Sequence, residues 1–235
     1  AEIEEAREAV ASQGTSVVGR LRLSAPLSFG VRYVAPVLAK IAWCHPRLEI
    51  DVSYSDRIVD LIGERFDAAI RIGVLKDSSL VARRIASVRA VLVASPEYLA
   101  RNGRPSTPGD LARHECLIYT GRTVPQWLLR AGKRSISIRP EGRLRSDSGE
   151  TIVQWAIEGL GIAEAPSFLV SDAIESGRLE PLLLDYPLPE VGIHVLRPPG
   201  SYVPGKVRVL IDTLVESFGG EPVWDRCLMH ARHPM

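Results

Sequence analysis

The feature that most constrains the fold is a regular alternation of short apolar strands with amphipathic helices. Apolar side chains at every second position of residues 48–54 are typical of a half-buried strand. Apolar side chains three and four positions apart over 29–43 predict a helix that buries one face. Strands that alternate with helices are typical of parallel β–α–β units. We therefore predict an α/β fold, with strands over 21–25, 48–54 and 67–73 and helices over 29–43 and 58–66.

The same alternation continues through the second half of the chain. Helices are predicted over 149–158, 166–175 and 207–218. Strands are predicted over 80–85, 88–94, 115–120, 127–129, 135–138, 142–145, 161–164, 179–184 and 191–196. This order favours two α/β halves over one long sheet, and we expect the last helix to return to the first half. Ligands in open α/β sheets bind beyond the carboxyl ends of the strands, so two facing halves would form a cleft for a small molecule.

Composition argues against several classes of protein. The 235 residues include 29 basic and 28 acidic ones, whereas a dedicated nucleic-acid surface would carry a basic excess. The best apolar stretch, 85–94, contains Arg89 and is shorter than the roughly 20 residues that span a bilayer, so no membrane partner is predicted. Three widely spaced cysteines without a C-x-x-C pair favour free thiols in a reducing compartment.

Two clusters carry residues that could act as nucleophiles or metal ligands, Cys44-His45 and His114-Glu115-Cys116. A zinc site needs three or four ligands at recognisable spacing, and neither H-E-x-x-H nor paired cysteine doublets occur. The sequence also lacks a P-loop and a G-x-S-x-G elbow. We therefore predict no catalytic residue, no metal site and no cofactor. A small hydrolase that uses His114 or Cys116 stays an alternative.

Polar side chains gather where predicted strands end. Hydroxyl groups and free backbone N–H groups at such positions can receive a carboxylate or another anion. Serine, threonine and aspartate are also the usual helix caps, so a single residue of this kind proves little. Because several clusters lie at the same ends of strands, they favour a binding site. The clusters are 24–28, 53–56, 71–73, 119–121 and 146–151.

Several strings resemble, in the same order, the effector-binding domain of LysR-type transcriptional regulators. They are GRLRLSAP at 19–26, SDRIVDL at 55–61, FDAAIRIG at 66–73, DSSLVAR at 77–83, ASPEYL at 94–99 and GLGIA at 159–163. Lys206-Val207-Arg208, ahead of the last predicted helix, also fits the family. The resemblance covers about residues 15–219.

The resemblance implies a type 2 periplasmic-binding-protein-like fold, in which two Rossmann-like subdomains are joined by two crossover strands, here near 88–94 and 193–196. It implies that residues 1–18 are the end of a linker helix. The family's N-terminal winged helix-turn-helix is not in this sequence, so DNA would be bound only by that domain. The implied boundaries are 19–90 with 197–220 for subdomain I, 91–196 for subdomain II and 221–235 for a C-terminal tail.

The resemblance also implies a function. The chain is expected to be the sensing and oligomerisation domain of a cytoplasmic regulator, with no enzyme activity, that forms homodimers and in many cases homotetramers. A small carboxylate or aromatic effector would bind in the cleft between the subdomains and shift the oligomer geometry. Asp147 and Glu164 disfavour a bare dianion there. The alternative is an exported solute-binding protein of an uptake system. By position, the effector-binding role falls on Pro26, Leu27, Ser28, Ser55, Asp56, Arg71, Gly73, Thr120, Gly121, Ser146, Ser148, Glu164 and Pro166.

Overall fold

The chain forms two α/β units, each built around its own five-stranded sheet, in a computed structural model that describes residues 17–57, 59–75, 77–121 and 126–228. Unit 1 holds the chain up to Ser87 together with Gly192–Gly220. Unit 2 holds Val88–Val191 and the chain from Glu221 onward. The chain therefore crosses between the units three times. Of the predicted linker helix at 1–18, residues 1–16 lie outside the described residues.

The elements follow the predicted order closely. We number the strands β1 to β12 and the helices α1 to α5 along the chain. The strands are β1 (Gly19–Ala25), β2 (Leu48–Tyr54), β3 (Ala68–Ile72), β4 (Val81–Val88), β5 (Ala90–Ala94), β6 (Cys116–Tyr119), β7 (Trp127–Ala131), β8 (Arg134–Ile138), β9 (Arg145–Ser146), β10 (Ile162–Pro166), β11 (Glu180–Leu182) and β12 (Val191–Arg197). The helices are α1 (Leu27–Cys44), α2 (Pro96–Asn102), α3 (Gly149–Ile157), α4 (Ser167–Glu175) and α5 (Gly205–Phe218), with short 3-10 helices at Pro108–Arg113 and Val223–Asp225.

Unit 1 has the strand order β2-β1-β3-β12-β4. β1 pairs in parallel with β2 over its whole length and also with β3, while β12 runs antiparallel to β3. Helices α1 and α5 pack together, and the rings of Phe29 and Phe218 meet edge to face at 5.7 Å between centroids. The last helix thus returns to the first unit, as the sequence predicts.

Helix α1 differs from the prediction in two ways. Its second turn, Gly30–Val34, is π-helical, and regular α-helix resumes from Ala35, with Pro36 in its first turn, where proline is tolerated. The whole of Leu27–Cys44 also has the length and mean hydropathy (1.2) of a membrane span, contrary to the prediction that no segment does. Val37, Leu38 and Ile41 are nevertheless buried on its packed face, which is how a core helix of a globular unit is built.

The helix predicted over 58–66 is wrong. The described part of this segment forms hydrogen-bonded turns over 61–65. The carboxylate of Asp60 accepts hydrogen bonds from the amides of Ile62 (3.1 Å) and Gly63 (3.0 Å), and such a local bond competes with helix propagation. Arg65 then takes a left-handed conformation (φ 58°), which ends any helical turn.

Unit 2 has the strand order β11-β5-β10-β6-β9. β10 runs parallel to β6 and antiparallel to β5, and β6 runs parallel to β9. The β7–β8 hairpin covers part of this unit by burying Trp127 and Leu129 in its core.

The tail, for which the sequence offers no interpretation, packs into unit 2. Trp224 and Cys227 are buried, and the carboxylate of Asp225 accepts a 2.5 Å hydrogen bond from the hydroxyl of Ser167 at the start of α4. Burial raises the pKa of Asp225, while the Ser167 bond and the Arg89 charge partly offset that effect. Arg89 lies 3.8 Å from the second carboxylate oxygen of Asp225.

Because Trp224 is only 1% exposed, we expect Trp224→Ala to lower the free energy of unfolding by about 3–5 kcal/mol, since it removes a buried indole and leaves a cavity. Urea unfolding followed by circular dichroism measures the change. The adjacent Val223 is 52% exposed, so Val223→Ala is the matched control and should change stability by less than about 0.5 kcal/mol. Equal effects of the two substitutions would contradict a packed tail.

Candidate functional site

Three parallel strands of unit 1 end at the same edge of its sheet, and five predicted site residues follow two of them directly. Pro26, Leu27 and Ser28 come after β1, while Ser55 and Asp56 come after β2. The amide of Ser55 donates to the carbonyl of Ala25 at 2.9 Å, so the two strand ends stay paired beyond the sheet. Unit 1 therefore brings these residues together at one edge.

The carboxylate of Asp56 already occupies part of this edge. It accepts a 3.1 Å hydrogen bond from the amide of Leu27, the first residue of α1. Asp56 precedes the wrongly predicted helix over 58–66, and the structure uses its carboxylate at the start of α1. One of the free amides that could receive an anion is thus satisfied from within the unit.

Arg71 supplies the positive charge of the same edge. Its guanidinium donates to the hydroxyl of Ser24 (3.0 Å), to the carbonyl of Ile70 (2.7 Å) and to the carbonyl of Arg57 (3.3 Å). Burial lowers the pKa of Arg71, and the charge of Asp56 works in the opposite direction. Arg71 is therefore a cation held in place by neutral oxygens.

Gly73 follows β3 and completes the edge. Its φ of 128° is one that glycine adopts far more readily than other residues. Its amide donates to the carbonyl of Gly192 at 3.0 Å, so it closes the end of the ladder between β3 and β12.

Unit 2 presents a corresponding edge, where β6, β9 and β10 end. The amide of Thr120 donates to the carbonyl of Ser146 at 2.8 Å, and the Ser146 hydroxyl accepts from the amide of Ser148 at 3.0 Å. The Ser148 hydroxyl caps α3 by accepting from the amide of Thr151 at 3.3 Å. Thr120, Ser146 and Ser148 thus form one hydrogen-bonded cluster.

The other predicted residues of unit 2 flank this cluster. Gly121 follows Thr120, and a Cβ there would lie 2.3 Å from the hydroxyl oxygen of Tyr119, so a larger residue would require the tyrosine side chain to shift. Pro166 ends β10 and precedes the first residue of α4. Glu164 lies inside β10, opposite Leu92 of β5, rather than after the strand.

Sequence reasoning left two polar contributors to these edges out of the predicted site. Ser24 is fully buried and accepts the bond that holds Arg71. Asp225 lies at the start of α4 although it is 58 residues away from Ser167 along the chain. Ser24 stands next to a predicted site residue in the sequence clusters, so it could have been found. No sequence signal connects Asp225 with α4, because the contact is made only when the tail folds back.

In the His114-Glu115-Cys116 cluster, the thiol is buried and the imidazole is hydrogen-bonded. Cys116 is buried, and burial raises the pKa of its thiol to about 11, so it is protonated at neutral pH. His114 Nδ1 and the hydroxyl of Tyr98 share a 3.2 Å hydrogen bond, and that hydroxyl accepts from the amide of Glu115 (3.0 Å). Among the described residues no group of three or more histidine, cysteine or acidic side chains could hold a metal ion.

Comparison with known families gives one family match. The LysR substrate binding domain family matches residues 14–219. The relatives include the HTH-type transcriptional regulator PtxR of Pseudomonas aeruginosa, which is 35% identical over 205 residues, 87% of this chain and 66% of PtxR. An uncharacterised HTH-type transcriptional regulator of Haemophilus influenzae is 35% identical over 207 residues, 88% of this chain and 72% of its own length.

Solved structures of the same family share the fold. The regulatory domain of CrgA from Neisseria meningitidis, a LysR-type transcriptional regulator, has a TM-score of 0.77 and 29% identity, and the match covers 86% of this chain and all of that domain. The full-length Vibrio cholerae activator AphB has a TM-score of 0.76 and 27% identity, with 92% of this chain and 74% of AphB covered.

The burial of two cysteines predicts a selective thiol titration. Cys44 is exposed, whereas Cys116 and Cys227 are buried with pKa values raised to about 11. We expect a disulfide reagent such as DTNB at pH 8 to modify one thiol rapidly in the folded chain and three after unfolding in urea. Cys44→Ser should remove the fast phase. A fast phase that survives this substitution would show that a buried cysteine is accessible.

The Tyr98–His114 bond predicts a dependence of stability on pH. Burial lowers the pKa of His114 below that of the unfolded chain, so its contribution is complete above about pH 6.5 and is lost as the pH falls. We expect His114→Asn, which keeps a neutral acceptor for Tyr98, to lose less stability than the parent between pH 7 and pH 5 in urea titrations. Burial lowers the pKa of His194 too, so some acid sensitivity should remain. Identical pH dependence of parent and variant would contradict a neutral, partly buried His114.

Proposed function

Since the chain belongs to the LysR substrate binding domain family, we propose that it senses a small-molecule effector through the polar residues at the carboxyl ends of its parallel strands. The chain is the effector-binding domain of a LysR-type transcriptional regulator. Regulators of this type bind small-molecule effectors, form oligomers and bind DNA through an N-terminal domain. The family is one of regulators and not of enzymes, so the small hydrolase is not supported.

The chain spans 66% of PtxR and 72% of the Haemophilus influenzae relative. Control of transcription by the full protein, its assembly as a homodimer or homotetramer, and its place in the cytoplasm are therefore part of the proposal. The exported solute-binding protein is the weaker alternative, since the similar proteins are named as transcriptional regulators. An exported solute-binding protein would serve uptake, and none of these three relatives is described as part of an uptake system.

We also propose that unit 1 and unit 2 correspond to subdomains I and II of the family. The boundaries expected from the resemblance, near 90 and near 197, lie within a few residues of the points where the chain passes between the units. The position of the effector in a cleft between the subdomains comes from the family resemblance and stays a prediction.

The observation that carries the effector proposal is the pair of polar strand-end edges. In unit 1, Arg71 is held by neutral oxygens at the edge that also carries Ser28 and the start of α1. In unit 2, Ser146 and Ser148 present hydroxyl groups at the start of α3. Such donors suit a carboxylate group, and the exposed side chain of Leu27 beside Ser28 suits an aromatic or aliphatic body.

The internal carboxylates favour one negative charge on the effector over two. Asp56 already accepts from the Leu27 amide, the exposed Asp147 lies between Ser146 and Ser148, and Glu164 lies inside β10. A dianion at either edge would meet a like charge, and like charges repel. We therefore propose a monocarboxylate or an uncharged aromatic compound as the effector.

The proposed mechanism is a shift of population. An effector that binds one arrangement of the regulator better than another stabilises that arrangement by the difference in its two binding free energies. The DNA-binding domains would then change their spacing, which alters transcription.

A thermal-shift screen of small monocarboxylates and aromatic compounds tests the proposal. A true effector at about 100 times its Kd adds about 2.7 kcal/mol of stability, which raises the Tm by several degrees for a chain of this size. We expect Ser28→Trp to abolish the shift, because the indole fills the edge beside Leu27. Arg208→Trp is the matched control, since Arg208 is exposed on α5 and lies two residues after Lys206, whose Nζ donates to the carbonyl of Arg20 near the start of β1.

Two outcomes would overturn the site assignment. One is a compound whose full shift survives Ser28→Trp in a folded variant. The other is a shift that Arg208→Trp abolishes equally, because the effect would then follow from general perturbation of unit 1.

A further inference from the structure

The β7–β8 hairpin of unit 2 is a two-stranded ribbon with two different faces. Its strands pair from Trp127 opposite Ile138 to Ala131 opposite Arg134. Gly132, in the turn between them, has a φ of 58°, the left-handed conformation that two-residue hairpin turns require. Because side chains alternate along a strand, the ribbon presents every second residue to solvent.

The inner face of the ribbon holds it on the unit. Trp127 and Leu129 are 3% and 0% exposed, and Ile138 packs against the same core cluster. The amide of Arg130 donates to the carbonyl of Pro187 at 3.0 Å, which ties the ribbon to the rest of unit 2. These contacts fix the ribbon to unit 2 and leave its outer face exposed.

The exposed residues of the ribbon are polar and basic. Arg130, Lys133, Arg134 and Arg139 are all exposed, and no acidic residue occurs between 126 and 139. Leu128 is the exception to the polar character of the outer face. Gln126, Ser135 and Ser137 are exposed as well, and the Gln126 amide donates to the Ser137 hydroxyl.

None of these four cations forms an ion pair with another residue of the described chain. Arginines elsewhere do so: Arg57 lies 2.8 Å from Glu64 and Arg20 lies 2.8 Å from Asp51. The chain as a whole carries a net charge of only +1, so the remainder of the sequence is net acidic. The ribbon therefore carries four clustered cations that have no internal partner among the described residues.

We propose that this basic ribbon, residues 126–139, contacts the backbone of duplex DNA. A two-stranded β-ribbon fits the major groove of B-DNA, which is about 12 Å wide. Arginine pairs with phosphate through two parallel hydrogen bonds, and serine and glutamine side chains also donate to phosphate oxygens. Arg130 and Arg139 lie on the outer face, Lys133 lies in the turn, and the exposed Arg134 lies opposite Ala131 at the tip of the ribbon. Contacts to phosphate carry no sequence information, so binding would not depend on sequence.

The proposal rests on the proposed function in one respect, since a LysR-type regulator holds this domain on DNA through its N-terminal domain. A weak second contact then acts at a high effective concentration and adds to the affinity of the whole protein. The affinity added by this contact would depend on the position of the effector-binding domains relative to the DNA. Effector binding could then change how the regulator holds the DNA.

The test uses the 235-residue chain and a fluorescein-labelled 30-base-pair duplex of arbitrary sequence in anisotropy titrations between about 20 and 200 mM NaCl. A sequence-independent contact is expected to give a Kd in about the 1–100 µM range at low salt, weakening steeply as salt rises. We expect the triple variant Arg130→Ser, Arg134→Ser, Arg139→Ser to reduce the slope of log K against log [NaCl] by about 2 to 3, since each phosphate that is no longer neutralised lowers the slope by about one.

The matched control removes three exposed arginines from unit 1: Arg47→Ser, Arg83→Ser and Arg208→Ser. This control has the same net charge as the ribbon variant. If DNA binding depends on where the arginines lie and not on total charge, the control should keep most of the parent's affinity and of its slope of log K against log [NaCl]. Melting curves confirm that both variants fold. The effector screen runs on the same variants, and a ligand shift that persists in the ribbon variant separates this proposal from the proposed function.

Three results would overturn the proposal. The parent chain fails to bind the duplex at 20 mM NaCl, or the two variants lose affinity equally. Alternatively, light scattering shows that the ribbon variant changes the oligomeric state while DNA binding is unaffected, which would assign the ribbon to a second copy of the chain.

Discussion

The parallel pairing of β1 with β2 and β3 is the constraint on which unit 1 depends. Two parallel neighbours cannot be joined by a tight turn, so the chain must cross back over the sheet, here through α1. Parallel pairing also brings the carboxyl ends of the three strands to one edge, where Pro26, Ser55 and Gly73 follow them. The core helix and the site are therefore two consequences of one pairing. In unit 2 the parallel trio β9, β6 and β10 has the same effect for the residues that end or follow those strands.

At both edges, some of the polar groups are hydrogen-bonded to other residues of the same unit. In unit 1, Asp56 accepts from the start of α1, while neutral oxygens hold Arg71. In unit 2, Asp225 reaches the start of α4 from the tail. Buried donors left without partners would cost about 1–3 kcal/mol each, so these internal contacts keep the edges stable without a ligand. They also leave less positive potential for a ligand, which is the physical reason to expect an effector with at most one negative charge.

The overall charge of the chain conceals how its charges are distributed. A value near zero indicates that no large basic excess exists, and this argues against a protein devoted to nucleic acid. It does not exclude local segregation, and the unpaired cations of the β7–β8 ribbon are such a case. Only the strand register shows that Arg130 and Arg139 belong to the outward face of a ribbon whose inner face is buried.

The sequence by itself determined the fold class, the order of the elements and the strand-end position of most of the proposed site. Hydrophobic periodicity is a local signal, so it located α3 and β10 to within a residue or two. It failed over 58–66, where the Asp60 carboxylate bonds local amides and Arg65 turns left-handed, because side-chain competition for the backbone leaves no periodic trace. The tertiary structure alone decided that Ser24 holds Arg71, that Asp225 meets Ser167 and that Cys116 is an inert buried thiol. Each of these depends on residues far apart in the chain being brought together, and burial and contact at such distances are properties of the packed fold rather than of any local stretch of sequence.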